Sequence, residues 1–211
     1  MEQKIDMIVN RLPAKTWNRL SVNQAEIKDL TADGWQRPAV TVRYPKDEKP
    51  IVRELTTEQE SSVYKKMEQI RTGMGAEVSR LKPEDATDIC VETVEEGGES
   101  DERRERMRRD EVVLVLDYPD RKNCFQDVKI YARAGESVTV WTVVRSKKDA
   151  EGKAVLRTLL QAEENAKIRL VQVDLLGDRM QLFNDIGVES GKQAQIEVVQ
   201  LFLGAEKIWA G

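Results

Sequence analysis

The chain contains the stretch VTVWTV at residues 138–143, and it repeats the pattern as IRLVQV at residues 168–173 and as IEVVQL at residues 196–201. Each copy has apolar residues at relative positions 0, 2, 3 and 5, and a turn of small or polar residues precedes it. The copies begin 30 and 28 residues apart, and self-similarity at such a period indicates stacked supersecondary units. We therefore expect successive copies to cover one another's apolar faces.

The three copies favour strands over helices, because they are rich in β-branched residues and alternate with a period of two on either side of an apolar doublet. We expect the doublet, such as Val140-Trp141, to shift the inward face by one residue, as a bulge would. Hairpin signals such as Asn-Gly are absent between the copies. The sequence therefore favours a parallel β-solenoid, with a β-sandwich as the open alternative.

The predicted fold is mainly β and has two parts. Residues 111–211 form a parallel β-helix (solenoid), and residues 1–110 form a smaller mixed α+β N-terminal region. In that region the alternation over residues 39–44 predicts a strand, and Trp17 is expected to anchor a core.

The clearest helix signal follows Thr57. Thr57 and Glu60 predict a capping box, and Gly73 and Gly75 are expected to end the helix. The helix carries one apolar stripe, which consists of Val63, Tyr64, Met67 and Ile70. We expect this stripe to pack on the rest of the protein, with docking of a partner as the alternative.

Residues 95–111 place an acidic block directly before an arginine-rich block. The arginines could hold phosphate, but no aromatic residue lies among them to stack on bases. We expect a mobile, self-neutralising surface loop.

Composition narrows the classes of function. The net charge of -4 argues against a nucleic-acid-binding domain, which is typically basic. The apolar runs are too short to span a bilayer, and the N-terminus lacks the layout of a signal peptide. These features predict a cytoplasmic protein that binds neither nucleic acid nor membrane.

The chain has no histidine and two cysteines, Cys90 and Cys124. These numbers exclude a Cys/His zinc site and histidine-activated nucleophiles. We expect both cysteines to be free and buried rather than cluster ligands. We thus predict no enzyme activity, no cofactor, and no catalytic, cofactor-binding or metal-binding residues.

One enzyme class stays open as an alternative, since parallel β-helices often carry acidic clusters on adjacent coils. The local candidates for a carbohydrate-active site are Asp174, Asp178, Asp185 and Glu189. We expect them to lie in turns and loops without stacking on one another.

Several segments resemble the SufB/SufD family of the SUF iron–sulfur cluster assembly system. The resemblance is nearly continuous from Asp127 to Gly204, and its most diagnostic parts are LFNDIG at residues 182–187 and QIEVVQLFLG at residues 195–204. The segments NRLPAKTWNRL at residues 10–20 and TGMG at residues 72–75 resemble SufD-type members.

The resemblance implies a right-handed parallel β-helix and a non-catalytic scaffold that works with a SufC-type ATPase and a SufB-type paralogue. Family chains continue through more β-helix into a helical segment that docks on the ATPase, so we expect the solenoid here to be incomplete. The cysteine and histidine positions tied to cluster assembly lie mainly in that later part. No site residue is carried over.

A generic β-solenoid dimerisation module is the remaining alternative. The strand at residues 196–203 is strongly apolar, and the residues after it are too few to cap a coil. We expect Ile208 and Trp209 to be exposed, and Val199, Leu201 and Leu203 to belong to the core. We expect the chain to self-associate or to need a partner through this C-terminal end.

Overall fold

The computed structural model describes residues 4–9, 25–31, 34–43, 50–93 and 111–211. The protein is mainly β, with a β-solenoid of about four turns in residues 111–210 and a small N-terminal region. The elements are β1 (Lys4–Val9), β2 (Ala25–Thr31), β3 (Trp35–Gln36), β4 (Ala39–Arg43), β5 (Ile51–Thr56), α1 (Ser62–Met67), α2 (Ala76–Ser79), β6 (Thr87–Glu92), β7 (Glu111–Asp117), β8 (Lys122–Ala132), β9 (Ser137–Arg145), β10 (Glu151–Ala162), β11 (Lys167–Leu175), β12 (Arg179–Ser190), β13 (Gln195–Phe202) and β14 (Lys207–Ala210).

Each solenoid coil gives one strand to each of two sheets. Sheet 1 has the order β4-β7-β9-β11-β13, and sheet 2 has the order β5-β6-β8-β10-β12-β14, with β3 paired to β8. The coil strands pair in parallel within each sheet. The main hydrophobic core lies between the sheets and draws side chains from all four coils.

The strand register confirms the repeat. Val138 pairs with Ile168, and Ile168 pairs with Ile196, so equivalent positions of successive copies are direct neighbours. Their side chains cover one another along the solenoid axis, as the period of the sequence predicts.

The predicted shift at the apolar doublet is wrong. In β9, burial alternates without interruption, so Thr142 points inward while Trp141 and Val143 lie on the outer face. In β11, Gln172 takes the equivalent inward position.

Hydrogen bonds make the polar side chain acceptable in the interior at Gln172, whereas the buried Thr142 hydroxyl has no hydrogen-bond partner among the described residues. Gln172 Nε2 donates to Thr158 Oγ1 at 3.1 Å, and Gln172 Oε1 accepts from Asn184 at 2.8 Å and from Gln200 at 3.1 Å. Since a buried amide costs little once it is bonded, the backbone keeps its regular alternation and needs no bulge.

The N-terminal region extends both sheets. Strand β4 pairs antiparallel with β7, and β6 pairs parallel with β8. The prediction of a strand at residues 39–44 is confirmed for Ala39–Arg43. The predictions for Trp17 and for residues 95–110 lie outside the described residues, while Glu111 begins β7.

The predicted capping box is wrong. Helix α1 has only six residues, its N-cap is Ser61, and no side chain caps it. Glu60 instead reaches the Lys129 ammonium at 2.5 Å, because a buried cation needs a carboxylate partner more than a short helix needs a cap. The helix ends at Met67, well before Gly73 and Gly75.

The apolar stripe of this segment packs inward as predicted. Tyr64 and Met67 are buried, and Val63 and Ile70 pack against the same cluster on the outer face of sheet 2. Helix α2 and the antiparallel pair β1 and β2 cover another part of that face. Among the helices of the described residues, none is both long and apolar enough to cross a membrane.

Candidate functional site

A cluster of charged side chains lies between sheet 2 and the segments that cover it. Its centre is Lys129, which β8 places on the outer face of the sheet and which is fully buried. The ammonium lies 2.5 Å from Glu60, 2.7 Å from Glu68 and 2.9 Å from Asp88. One lysine thereby joins β8 to β6 and to both ends of α1.

Two further cations extend the cluster. Arg157 binds Asp127 through two nitrogens, at 2.6 Å each, and reaches Glu68 at 2.7 Å and Ser79 at 2.7 Å. Lys82 lies 2.6 Å from Asp88 and 3.0 Å from Asp127. The cluster therefore also ties β10 and α2 into the same network.

The charges in the cluster are mutually stabilised. Burial disfavours the charged form of Lys129, but Asp88, Glu60 and Glu68 outweigh burial and raise the pKa of this lysine. Burial also opposes ionisation of Glu68, yet Arg157 and Lys129 lower its pKa. Burial and a hydrogen bond with the Glu60 carboxyl raise the pKa of Asp88.

The same three carboxylates are close enough to hold one metal ion, since their oxygens lie within 4.8 Å of one another. The Lys129 ammonium already contacts all three. A metal ion between them would have to displace a buried lysine that has no other partner of opposite charge among the described residues. The arrangement is therefore a structural ion cluster, in which the lysine takes the place of a metal ion.

Two segments that carry the family resemblance contact each other beside this cluster. Thr72 forms a bridge with Gly187, and the Met74 N–H donates to Asp185 Oδ1 at 2.9 Å. A Cβ on Gly187 would lie 2.9 Å from Ile70 Cγ2. The segment after α1 therefore rests directly on β12, and the absence of a side chain at residue 187 permits the close approach.

Both cysteines are free and buried, as predicted, and both lie in strands. Burial raises the pKa of Cys90 to about 12 and that of Cys124 to about 11. Cys124 packs in the core between the sheets, whereas Cys90 packs against α1. Thiols of this kind are poor nucleophiles and poor metal ligands.

The acids of the carbohydrate-enzyme alternative are not all in turns and loops, and in this respect the prediction is wrong. Asp174 points into the solenoid and accepts from the Leu176 N–H. Asp185 and Glu189 lie in β12, four residues or about 13 Å apart along the strand. Of the four, Asp178 alone lies outside a strand. Asp185 and Glu189 share one face of β12 but lie too far apart to act as a carboxylate pair, and Asp174 points into the interior.

The C-terminal end corrects two expectations. Ile208 and Trp209 are half-buried: β14 pairs with β12, and Trp209 stacks on Phe183 with ring centroids 4.6 Å apart. Conversely, Leu201 and Leu203 are 45 % and 69 % exposed rather than parts of the core, and Val199 is half-buried outside the hydrophobic clusters of the described residues. The apolar surface of this end therefore belongs to β13 and the residue after it, not to β14.

Sequence reasoning missed the ion cluster, although the sequence carries a signal for it. Asp127 pairs with Arg157, and Arg157 pairs with Asp185, so these residues recur at the same intervals of 30 and 28 as the apolar repeat. Charged residues that recur at equivalent outward positions of successive coils would have indicated that another segment covers the outer face of sheet 2.

Comparisons with protein-family models, with curated proteins and with solved structures found no match to the chain.

Proposed function

We propose that this protein is a non-catalytic scaffold component of iron–sulfur cluster assembly, a SufD-like partner in a SufBCD-type complex. Support for the pathway comes from the segments that resemble the SufB/SufD family, two of which pack against each other at Thr72 and Gly187. The parallel β-solenoid agrees with the fold that the resemblance implies. The nascent cluster is cargo of the complex in this proposal.

The observation that carries a binding role is the uncovered interior at β13. Val198 and Phe202 occupy inward positions and pair with Leu170 and Asp174 of the preceding coil. Leu170 and Asp174 are 0 % and 3 % exposed, whereas Val198 and Phe202 are 37 % and 38 % exposed. Apolar side chains at inward positions require a cover, which a bound partner would supply.

The same edge offers backbone groups. Among the described strands, β13 pairs with β11 alone, so it presents one side to a partner strand. A SufB-type paralogue that adds a strand here would cover Val198 and Phe202, and a SufC-type ATPase would complete the complex.

The test is co-expression of the chain with the SufB-type and SufC-type proteins of the same organism, followed by affinity purification and light scattering. We expect a stable complex with the wild-type chain, and at least tenfold less partner recovered with the double variant Val198→Glu, Phe202→Glu. The matched control is Gln195→Glu, an exposed position at the start of β13, which should recover the partner as the wild type does. Circular dichroism verifies that the variants are folded.

Two results would separate the competing functions. A chain that self-associates through this edge but ignores both SUF proteins would be a generic dimerisation module, which the same exposed side chains support. A chain that remains a monodisperse monomer at high micromolar concentration and binds neither protein would contradict both proposals.

A further inference from the structure

The outer face of sheet 1 carries an apolar surface that crosses all four coils. Outward side chains of β7, β9, β11 and β13 line up in two neighbouring rows through the strand register. We name this surface the lateral stripe; its rows are Val113, Trp141, Val171 and Val199, and Val115, Val143, Val173 and Leu201. None of the eight belongs to the three hydrophobic clusters that the described residues form. Val115 and Val171 are only 6 % and 3 % exposed and form the floor of the stripe, Leu201 is 45 % exposed, and the other five are half-buried.

The strands of the lateral stripe have the composition of strands that are covered on both faces. In β9, Trp141 and Val143 point outward while Val140 and Val144 point inward. A strand with one solvated face normally alternates apolar with polar residues, whereas a near-continuous apolar run is typical of a strand buried on both sides. The outer face of sheet 1 is therefore built to be covered.

Polar side chains border one side of the stripe along its whole length and the other side in the first two coils. Before it lie Glu111, Thr139, Arg169 and Glu197 in register. After it, Arg145 and Asp117 form an ion pair at 2.5 and 2.9 Å across the first two coils. In the third coil Leu175 continues that row and is 45 % exposed, and Leu203, which follows β13, is 69 % exposed. The apolar surface therefore widens on this side in the last two coils.

We propose that the lateral stripe is a docking surface for an amphipathic helix of a partner protein. The central strands β9 and β11 are paired on both sides, so their backbone groups have no free side to offer an extended segment. A helix satisfies its own backbone hydrogen bonds and needs only an apolar surface. The face of a sheet is therefore suited to bind a helix, whereas its edge is suited to bind an added strand.

The dimensions agree with one helix. Four strands at the usual spacing span about 14 Å, and the two rows lie about 7 Å apart. A helix of about ten residues is as long as the stripe and presents apolar side chains at positions i, i+3, i+4 and i+7.

A second copy of the chain fits poorly. Two-fold pairing that reverses the coil order sets Glu111 of one copy against Glu197 of the other. Pairing that reverses the strand direction sets Glu111 against Asp117. Both arrangements oppose like charges at the border of the contact, and the stripe is far smaller than the roughly 800 Å² per partner of a standard interface.

This surface is distinct from the edge at β13 and does not depend on the proposed pathway. The probe is a dye-labelled synthetic peptide of eighteen residues, with leucines at helical spacing and lysine and glutamate elsewhere. A scrambled peptide of the same composition is its control. Fluorescence anisotropy measures binding of both peptides to the full chain.

We expect saturable binding of the amphipathic peptide and at least tenfold weaker binding of the scrambled one. Val143→Lys and Val173→Lys, inside the stripe, should each weaken binding at least tenfold. The control Thr139→Lys adds the same charge to β9, the strand of Val143, but outside the stripe. Its affinity for the peptide should stay within twofold of that of the wild type. Equal binding by the stripe variants and the control would overturn the proposal.

A thiol placed in the stripe tests for cover by the chain itself. Both native cysteines are buried, so a maleimide should modify Val173→Cys selectively in the folded protein. We expect maleimide to modify the folded Val173→Cys variant at a rate within about tenfold of its rate in urea. The amphipathic peptide should slow this modification at least tenfold. Slow labelling without peptide would show that the chain covers its own stripe, and a dimer that Val173→Lys dissociates would show a second copy. Either result would overturn the proposal.

Discussion

At the scale of single residues, Lys129 is the position where local pattern and final environment differ most. The alternation of β8 places it on the outer face of sheet 2 beside Asp127 and Tyr131, where a lysine would ordinarily be solvated. Removal of an ammonium group from water costs several kcal/mol. The three carboxylates within 2.9 Å offset that cost, and they come from segments that the chain supplies far upstream.

We predict that Lys129→Met destabilises the protein by about 3–5 kcal/mol, because it leaves the buried Glu60 carboxylate without its cation and Asp88 with Lys82 alone. Urea unfolding followed by circular dichroism measures the change. The matched control is Lys28→Met, which removes an exposed lysine 3.4 Å from Glu26 and should cost less than about 1 kcal/mol. Equal losses in the two variants would mean that the cluster does not hold the N-terminal region in place.

At the scale of elements, the turns between the sheets stack as closely as the strands do. A Cβ on Gly177 would lie 2.2 Å from the carbonyl oxygen of Lys147 and 2.6 Å from that of Lys148. The turn between β11 and β12 therefore rests on the backbone of the turn between β9 and β10. The Asp178 N–H donates to the Lys148 carbonyl at 2.9 Å and fixes the contact.

We predict that Gly177→Ala costs about 1–3 kcal/mol, since backbone atoms cannot move aside as a side chain could. Asp178→Ala is the control, because it changes an exposed side chain in the same turn and keeps the backbone hydrogen bond. Thermal unfolding of both variants and the wild type measures the difference. If Gly177→Ala unfolds at the same temperature as the control, the stacked turns tolerate a Cβ at residue 177, and the prediction is wrong.

At the scale of the whole molecule, the N-terminal region and the solenoid share their sheets. Strand β4 continues sheet 1 through β7, and β6 continues sheet 2 through β8, while the ion cluster joins α1 and α2 to the outer face of sheet 2. No boundary between independent cores separates the described strands of the two parts.

We therefore expect one cooperative unfolding transition. Tryptophan fluorescence reports on all four tryptophans, which include Trp35 in the N-terminal region and Trp141 and Trp209 in the solenoid, and far-UV circular dichroism reports on all strands. The two curves should coincide in urea. Two separate transitions, with the first lost in a chain that lacks the N-terminal strands, would show that the region unfolds on its own.

Residues 138–143 and their two repeats predicted the solenoid from the sequence alone, with a β-sandwich as the alternative. Strand alternation and a repeat of 30 and 28 residues are properties of the linear chain, and equal spacing brings equivalent residues into register. The resemblance to the SufB/SufD family also comes from the sequence, and the function that it implies remains a prediction.

Only the tertiary structure decided which faces are covered. Periodicity places Lys129 and Trp141 alike on outer faces, yet the N-terminal region covers sheet 2 and buries the lysine, while Trp141 stays half-exposed on sheet 1. The capping box failed for the same reason, because Glu60 has a distant buried partner. Burial of an outward side chain depends on contacts between residues far apart in the chain, which no local pattern contains.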